Sequence, residues 1–327
     1  MKMLKSVLVT SALTLLAITG LGHAQTTAPF PSRTVTLVVP FNPASGSDII
    51  ARLIVPKLSA RWGQPVIIDN KPGASGNIGA AQVATAAPDG HTLLMAISVI
   101  TMTPALYKNM PYDTAADFAP VAKLAEAGYA LAVHPSVPAK DMASLLELIK
   151  KSGGKMNFAS SGSGTPQHVA MEMLKLKYGL GILHVPYKGI QGALTDLAGG
   201  QVQMMIASVH SLRPLVEAGK VREIATTGTV RNPLAPNVPT FKEQGIDALD
   251  SVDAWYAVMA PAKTPADVVA RINKDFIDVI NQDDIKSALA KQGLTITTST
   301  PAQLGTLIKS DLARWQKIIT DAKIKAD

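Results

Sequence analysis

No cysteine occurs in the 327 residues. Disulfides, thiol nucleophiles and thiolate metal sites are therefore excluded, and stability must come from the packed core. Aromatic residues make up 5% and charged residues 17% of the chain. The basic residues are scattered among acids, and the adjacent pair Lys150-Lys151 has no aromatic neighbours. A nucleic-acid face needs clustering, so no nucleic-acid partner is expected. Sequence signatures of catalysis are missing too. There is no G-x-S-x-G elbow, no H-E-x-x-H, no P-loop and no G-x-G-x-x-G after a strand. Ser152-Gly153-Gly154-Lys155 fits S-x-x-K by letter only, since it lies in a glycine-rich turn before a strand. His168 and Glu172 share a helix face, but two ligands without a third make no metal site. No enzyme activity, metal or cofactor is expected.

Long apolar runs are also scarce, with one exception at the start. Lys2 and Lys5 precede an uncharged apolar stretch, Ser6 to Leu21, followed by Gly22-His23-Ala24. That is the form of a secretory signal peptide, residues 1–24, cleaved after Ala24. No later stretch approaches the ~20 apolar residues needed to span a bilayer. The expected mature chain is exported and has about 300 residues, more than one core usually holds. Its formal charge falls from +7 to +5 with the loss of Lys2 and Lys5.

What is present is a repeated pattern of strand, small-residue turn and helix. Leu37, Val38 and Val39 form a continuous apolar run, the mark of a strand covered on both faces. Asn42, Pro43, Ala44, Ser45 and Gly46 are turn formers, and Ser47 or Asp48 can cap the helix that follows. Such a turn aims backbone N–H groups and the positive end of a helix dipole at one spot. It is an anion site without an arginine, or simply a loop of an α/β domain.

The rest of the chain repeats the alternation and argues for an α/β architecture. Pro65 to Ile68 reads as a strand, Ala80 to Ala86 as a helix and Thr92 to Ala96 as a strand. Tyr129 to Val133 is a strand leading to Pro135 and Pro138, where the chain is expected to cross into a second unit. There the pattern restarts: strand Met156 to Ala159, turn Ser160 to Pro166 and helix Gln167 to Tyr178. Strands at 182–187, 204–207 and 221–226 alternate with helices at 192–198 and 211–218. Ala254 to Met259 reads as the strand that returns to the first unit, and the tail from Pro265 is helical. Two α/β units joined by two crossings describe a hinged pair of lobes, with a ligand expected outside the carboxyl ends of the strands.

Several segments resemble the Bug-type solute-binding proteins, the periplasmic receptors of tripartite tricarboxylate transporters. They include Val38-Val39-Pro40-Phe41 with Asp48-Ile49-Ile50-Ala51-Arg52, then Asn70-Lys71-Pro72-Gly73-Ala74 and Gly76-Asn77-Ile78-Gly79. Pro111-Tyr112-Asp113, Val133-His134-Pro135-Ser136 and His184-Val185-Pro186-Tyr187-Lys188-Gly189 continue the series in order. The resemblance implies a type II, two-lobed periplasmic-binding-protein fold, each lobe a mixed sheet flanked by helices. Expected boundaries are 30–127 with 253–327 for lobe 1 and 128–252 for lobe 2. It also implies a monomer that captures a small organic carboxylate for membrane permease subunits. A ligand-sensing receptor and a secreted Ser/His hydrolase are the alternatives.

Carried over residue by residue, the resemblance places Phe41, Ala44, Ser45, Ser47 and Asp48 at the first wall of the site. Ser75, Asn77, Ile97 and Ser98 complete that wall. Ser161, Ser163, Gly164, Thr165 and His168 face them from the second lobe, with Ser208 and His210 following a further strand. Two departures from the family pattern stand out. Ala44-Ser45 replaces a pair of glycines, and no acid follows the strand ending at Ala207, where Ser208-Val209-His210 stand instead. Several of these residues also have structural readings. Asp48 suits a cap and loop organiser, His168 a neutral imidazole bonding local backbone, and Asn77 a helix cap. Phe41 suits the core, and Trp255-Tyr256 suit the hinge.

Overall fold

The computed structural model describes residues 30–324 apart from 229, 250, 251 and 322. The expected signal peptide and its cleavage after Ala24 lie outside the described residues. Among the described residues, eleven strands run in chain order: β1 (Val35–Val39), β2 (Val66–Asn70), β3 (Thr92–Ile97), β4 (Phe118–Ala127), β5 (Tyr129–Val133), β6 (Asn157–Ser160), β7 (Leu183–Pro186), β8 (Met204–Ser208), β9 (Arg222–Thr226), β10 (Ala254–Pro261) and β11 (Leu294–Ile296). The helices are α1 (Gly46–Trp62), α2 (Asn77–Ala84), α3 (Thr103–Leu106), α4 (Met142–Lys151), α5 (Pro166–Tyr178), α6 (Ile190–Ala198), α7 (Val209–Glu217), α8 (Ala266–Ile280), α9 (Asp283–Lys291) and α10 (Pro301–Asp321).

The strands form two mixed sheets flanked by helices. The first has the order β11-β4-β10-β3-β1-β2, and the second β7-β6-β8-β5-β9. In each, a parallel strand–helix–strand unit sits beside antiparallel neighbours: β1 lies parallel to β2 and β3, and β6 parallel to β7 and β8.

Apolar burial on both faces explains the central strands. Leu37 and Val39 join Ile50, Ile54 and Leu58 of α1 in one core cluster, while Val38 faces Ala80 and Val83 of α2 in another. Burying each large aliphatic side chain stabilises the fold by about 1.5–3 kcal/mol, which is why an uninterrupted apolar run can serve as a strand here. Helix α1 continues through Pro56 and closes at Gly63, which takes the left-handed conformation (φ 63°).

Two connections join the sheets. The first is Gly128, between β4 and β5, so Tyr129 to Val133 already belongs to the second sheet. The expected crossing near Pro135 and Pro138 therefore falls too late. The second connection precedes β10, and Thr227 ties the two together. Its N–H donates to the Tyr129 carbonyl at 2.8 Å, and its hydroxyl accepts from the Tyr129 N–H at 2.8 Å. The C-terminal helix is anchored to β10, where Trp255 Nε1–H donates to Asp311 at 2.8 Å. Among the described residues, no helix is long and apolar enough to cross a membrane.

Candidate functional site: a cleft between the two sheets

A cavity of about 700 Å³ opens where loops from both sheets converge. Its first wall is the turn between β1 and α1, with Phe41, Ala44, Ser45, Gly46 and Ile49. Its second wall comes from the starts of α5, α6 and α7, through Ser161, Gln167, Gln191, Thr195, Ser208, His210 and Ser211. Tyr129 and Tyr256, from the strands that meet at the crossings, line the floor. The site volume lies within the ordinary range of small-molecule pockets.

The first wall is braced from behind. Asp48 is buried, and its carboxylate accepts from the Ala44 N–H at 2.8 Å, Arg52 Nε at 2.7 Å and Asn70 Nδ2 at 3.0 Å. Burial alone would push this carboxyl up, but the bonds from Arg52, Ala44 and Asn70 outweigh it and hold the group below its usual range. Asp48 thus organises the loop, while the helix cap is Ser45, whose hydroxyl accepts from the Asp48 N–H at 3.4 Å. Neither Ser47 nor Asp48 is the cap. Ala44 takes a left-handed conformation at φ 64°, unusual for a residue with a Cβ. Its bond to Asp48 holds it there. Gly46 admits a close neighbour, since a Cβ at this position would lie 2.3 Å from the Tyr256 hydroxyl.

The second wall has a different character. Helices α5, α6 and α7 begin at Thr165, Gly189 and Ser208, and none of these residues caps its helix with a side chain. Thr165 Oγ1 donates to the Gly162 carbonyl at 2.8 Å, and the Ser208 and Ser211 hydroxyls pair at 2.7 Å. The first-turn N–H groups of a helix have no intrahelical acceptor. The Val209 N–H donates to the Gly128 carbonyl at 3.2 Å, whereas those of Gln167, Gln191 and His210 have no acceptor in their own helices. Missing side-chain caps also occur on α8 and α9, so absence alone is not the signal. The signal is that three such starts converge on one cavity and face the start of α1.

Among the described residues, no Lys, Arg, Asp or Glu lines the cavity. An anion there would be held by oriented dipoles and hydroxyls, which stabilise negative charge near a helix start by typically about 0.3–1 kcal/mol each. His210 is the one histidine in the lining, and burial lowers its pKa. Burial pushes the Tyr256 phenol up to about 12. Both are therefore neutral near pH 7. Among the described residues, no group of three metal-ligating side chains converges.

The cavity brings together Phe41, Ala44, Ser45, Ser161, Ser208 and His210 of the residues singled out in the sequence. Ser47 is buried and lies behind the first wall, with its hydroxyl 3.1 Å from that of Ser45. Phe41, Ser75 and Ile97 line a narrow recess in the first lobe. Asn77 and Ser98 are buried, and Asn77 Oδ1 accepts from the Tyr112 hydroxyl at 2.6 Å rather than capping a helix. Ser163, Gly164, Thr165 and His168 do not line the cavity. His168 is buried, accepts from the Gly164 N–H at 2.9 Å and stacks on His184 with ring centres 3.8 Å apart. Gly164 abuts the first lobe, because a Cβ there would sit 2.8 Å from Leu106 of α3. Sequence reasoning missed Gln167, Gln191, Thr195 and Gln292 as lining residues. Tyr256 lines the floor in addition to packing at the crossing.

Comparison with known proteins gives a consistent result. Residues 50–324 match the model of the tripartite tricarboxylate transporter family receptor, TctC. A protein encoded in the tcbD-tcbE intergenic region of a Pseudomonas species is 38% identical over 93% of this chain and 91% of its own length. A solved structure of an R. palustris protein with adipate is 34% identical, covers 90% of this chain and 99% of that one, and superposes with a TM-score of 0.81. MatC from Rhodopseudomonas palustris with bound malate is 31% identical, covers 89% and 100%, and superposes with a TM-score of 0.76.

Proposed function

Because the chain belongs to the tripartite tricarboxylate transporter receptor family, we propose that the mature protein captures a small organic carboxylate in this cleft. It delivers the ligand to the permease subunits of a membrane transporter. The reading rests on one observation: four helix starts, drawn from both sheets, wall a cavity whose lining holds no ionised side chain. The adipate- and malate-bound relatives support the ligand class.

Binding follows from the donor geometry. Taking a carboxylate out of water costs several kcal/mol unless hydrogen bonds replace its hydration. One wall supplies too few donors, so binding and approach of the two walls are coupled. Lobe 1 comprises residues 30–127 and 253–327 and lobe 2 residues 128–252, with Gly128 and the stretch before Ala254 as hinges. The protein acts in the periplasm as a monomer after cleavage behind Ala24, and it performs no catalysis.

A thermal-shift screen of the mature protein against mono- and dicarboxylates tests this reading. A ligand at 100 times its Kd adds about 2.7 kcal/mol of stability, so a true ligand raises the Tm by several degrees and is recovered unchanged. Ser161→Glu places a fixed negative charge in the cavity and should abolish the shift. A full shift in that variant, or turnover of the ligand, would sink the proposal.

A further inference from the structure

We propose that Tyr129 and Tyr256 bind the ligand directly, as two phenol donors that recognise a second acceptor oxygen beside the first carboxylate. They select acids that carry such an oxygen, in a far carboxylate or a carbonyl group, over simple monocarboxylates. This inference rests on the carboxylate reading and deepens it.

Both phenols are buried and unpartnered. Tyr129 is 5% exposed and Tyr256 6%. A buried phenol ordinarily finds a hydrogen-bond partner. Tyr112, 7% exposed, donates to Asn77 at 2.6 Å, while Tyr107 pairs with Ser75 and Tyr187 with Asp196. Among the described residues, none pairs with the hydroxyl of Tyr129 or Tyr256, and both side chains line the cavity floor. Neither oxygen is sealed in the interior, so both are open to the cavity. Thr227 already takes both backbone groups of Tyr129, which leaves the phenol as its free polar group.

The two phenols come from different sheets. Tyr129 opens β5 directly after the Gly128 connection, opposite Ser208 at the start of α7. Tyr256 lies in β10, after the second connection, and its hydroxyl stands over the first residue of α1, where a Cβ on Gly46 would lie 2.3 Å away. Each wall thus gains a phenol beside a helix start. Burial pushes Tyr256 up to about 12, and burial together with the nearby Tyr256 and Asp253 pushes Tyr129 up as well. Both keep their protons near pH 7 and serve as donors.

Donor number sets the ligand class. A carboxylate offers about four acceptor positions. The N–H groups of Gln167, Gln191 and His210 have no acceptor in their own helices. With the two phenols they make five donors, before the hydroxyls of Ser45, Ser161 and Thr195 are added. A single carboxylate would leave part of this set unpaired once water is excluded, which is costly. A second acceptor oxygen removes that cost.

Calorimetry on the mature protein tests the inference with three acids of one chain length: the dicarboxylate that gives the largest thermal shift, its methyl half-ester and the matching monocarboxylate. The monocarboxylate is expected to bind on the order of 100-fold more weakly than the dicarboxylate. Tyr129→Phe and Tyr256→Phe keep the rings and remove only the hydroxyls. Each should weaken the dicarboxylate about 10-fold and leave the monocarboxylate unchanged. A loss confined to the dicarboxylate assigns the far carboxylate, and a loss shared by the half-ester assigns carbonyl recognition. In the native protein, carbon NMR of the tyrosine Cζ atoms gives a readout that needs no variant. The Tyr129 and Tyr256 resonances should shift on saturation with the dicarboxylate and hold with the monocarboxylate. Folded Phe variants that bind the dicarboxylate at native affinity, or that lose affinity equally for all three acids, overturn the inference and leave the carboxylate reading standing. So do Cζ resonances that the dicarboxylate leaves in place, or a monocarboxylate that binds at least as tightly as the dicarboxylate. Failure of every acid to bind overturns the carboxylate reading, and this inference with it.

Discussion

The first wall of the cleft is held in place by side chains, whereas the second leaves its helix starts to whatever enters. On one side, the buried Asp48 carboxylate fixes Ala44, Arg52 and Asn70 before any ligand arrives. On the other, α5, α6 and α7 begin without side-chain caps. Within the same lobe α4 shows what a self-sufficient start looks like: Asp141 and Ser144 form a complete capping box. The difference separates two roles. On the proposed carboxylate reading, a braced wall defines where the carboxylate sits, and an uncapped wall gains hydrogen bonds only when the ligand is present.

Substitutions can break or sharpen that contrast. The largest effect is expected from charge placed in the second wall. Ser161→Glu should weaken carboxylate binding by on the order of 100-fold or more, while Ser163→Glu, outside the cavity lining, should change affinity by much less. Isothermal titration of the two variants makes the comparison. Next is Asp48→Asn, which removes the charge that Arg52 pairs with and loosens the turn. Affinity should fall by about 10-fold and stability by on the order of 1–3 kcal/mol, read from titration and chemical denaturation. The pH dependence has a definite sign. Because the folded Asp48 carboxyl lies below its unfolded value of 3.8, its contribution is fully present above that value and is lost as pH falls through the folded pKa. Native stability should therefore lose this increment only below about pH 4, and the Asn variant should lack it.

Ala44→Gly probes the first wall from the opposite direction. Removing a Cβ from a left-handed residue relieves about 1–2 kcal/mol, offset in part by the greater freedom of glycine in the unfolded chain. The Tm should rise by a few degrees, with affinity changed less than threefold. Asp141→Ala is the smallest case for function. Loss of its cap should cost about 1 kcal/mol of stability and leave ligand affinity untouched, because α4 has no residue in the cavity lining.

The parallel strands were legible in the sequence because their apolar runs are continuous and end in small-residue turns. Strand β4 was not, since Phe118–Ala127 mixes Ala, Pro120, Lys123 and Glu126 without clean alternation. Its conformation comes from antiparallel pairing with β10 along most of its length, a partner far away in sequence. The start of α4 lies just past the region read as a crossing and was likewise passed over. At the site, the turn at Asn42 to Gly46 was readable from turn chemistry, whereas Phe41, Ser161 and Ser208 were singled out by the family resemblance. Gln292 was not readable at all: it reaches the cleft only because the C-terminal helices pack back onto the first sheet. His168 had two readings in the sequence, and its contact fits the local one, since Nδ1 accepts from the Gly164 N–H.

The central claim is that unoccupied N–H groups at the starts of α5, α6 and α7 receive the carboxylate. Backbone amide NMR with the acid that gives the largest thermal shift tests it directly. Saturation should move the Gln167, Gln191, His210 and Ser211 amide protons downfield while those of Met142 and Ser144 in α4 stay in place. Saturating binding that leaves the α5, α6 and α7 amides unmoved would contradict the account.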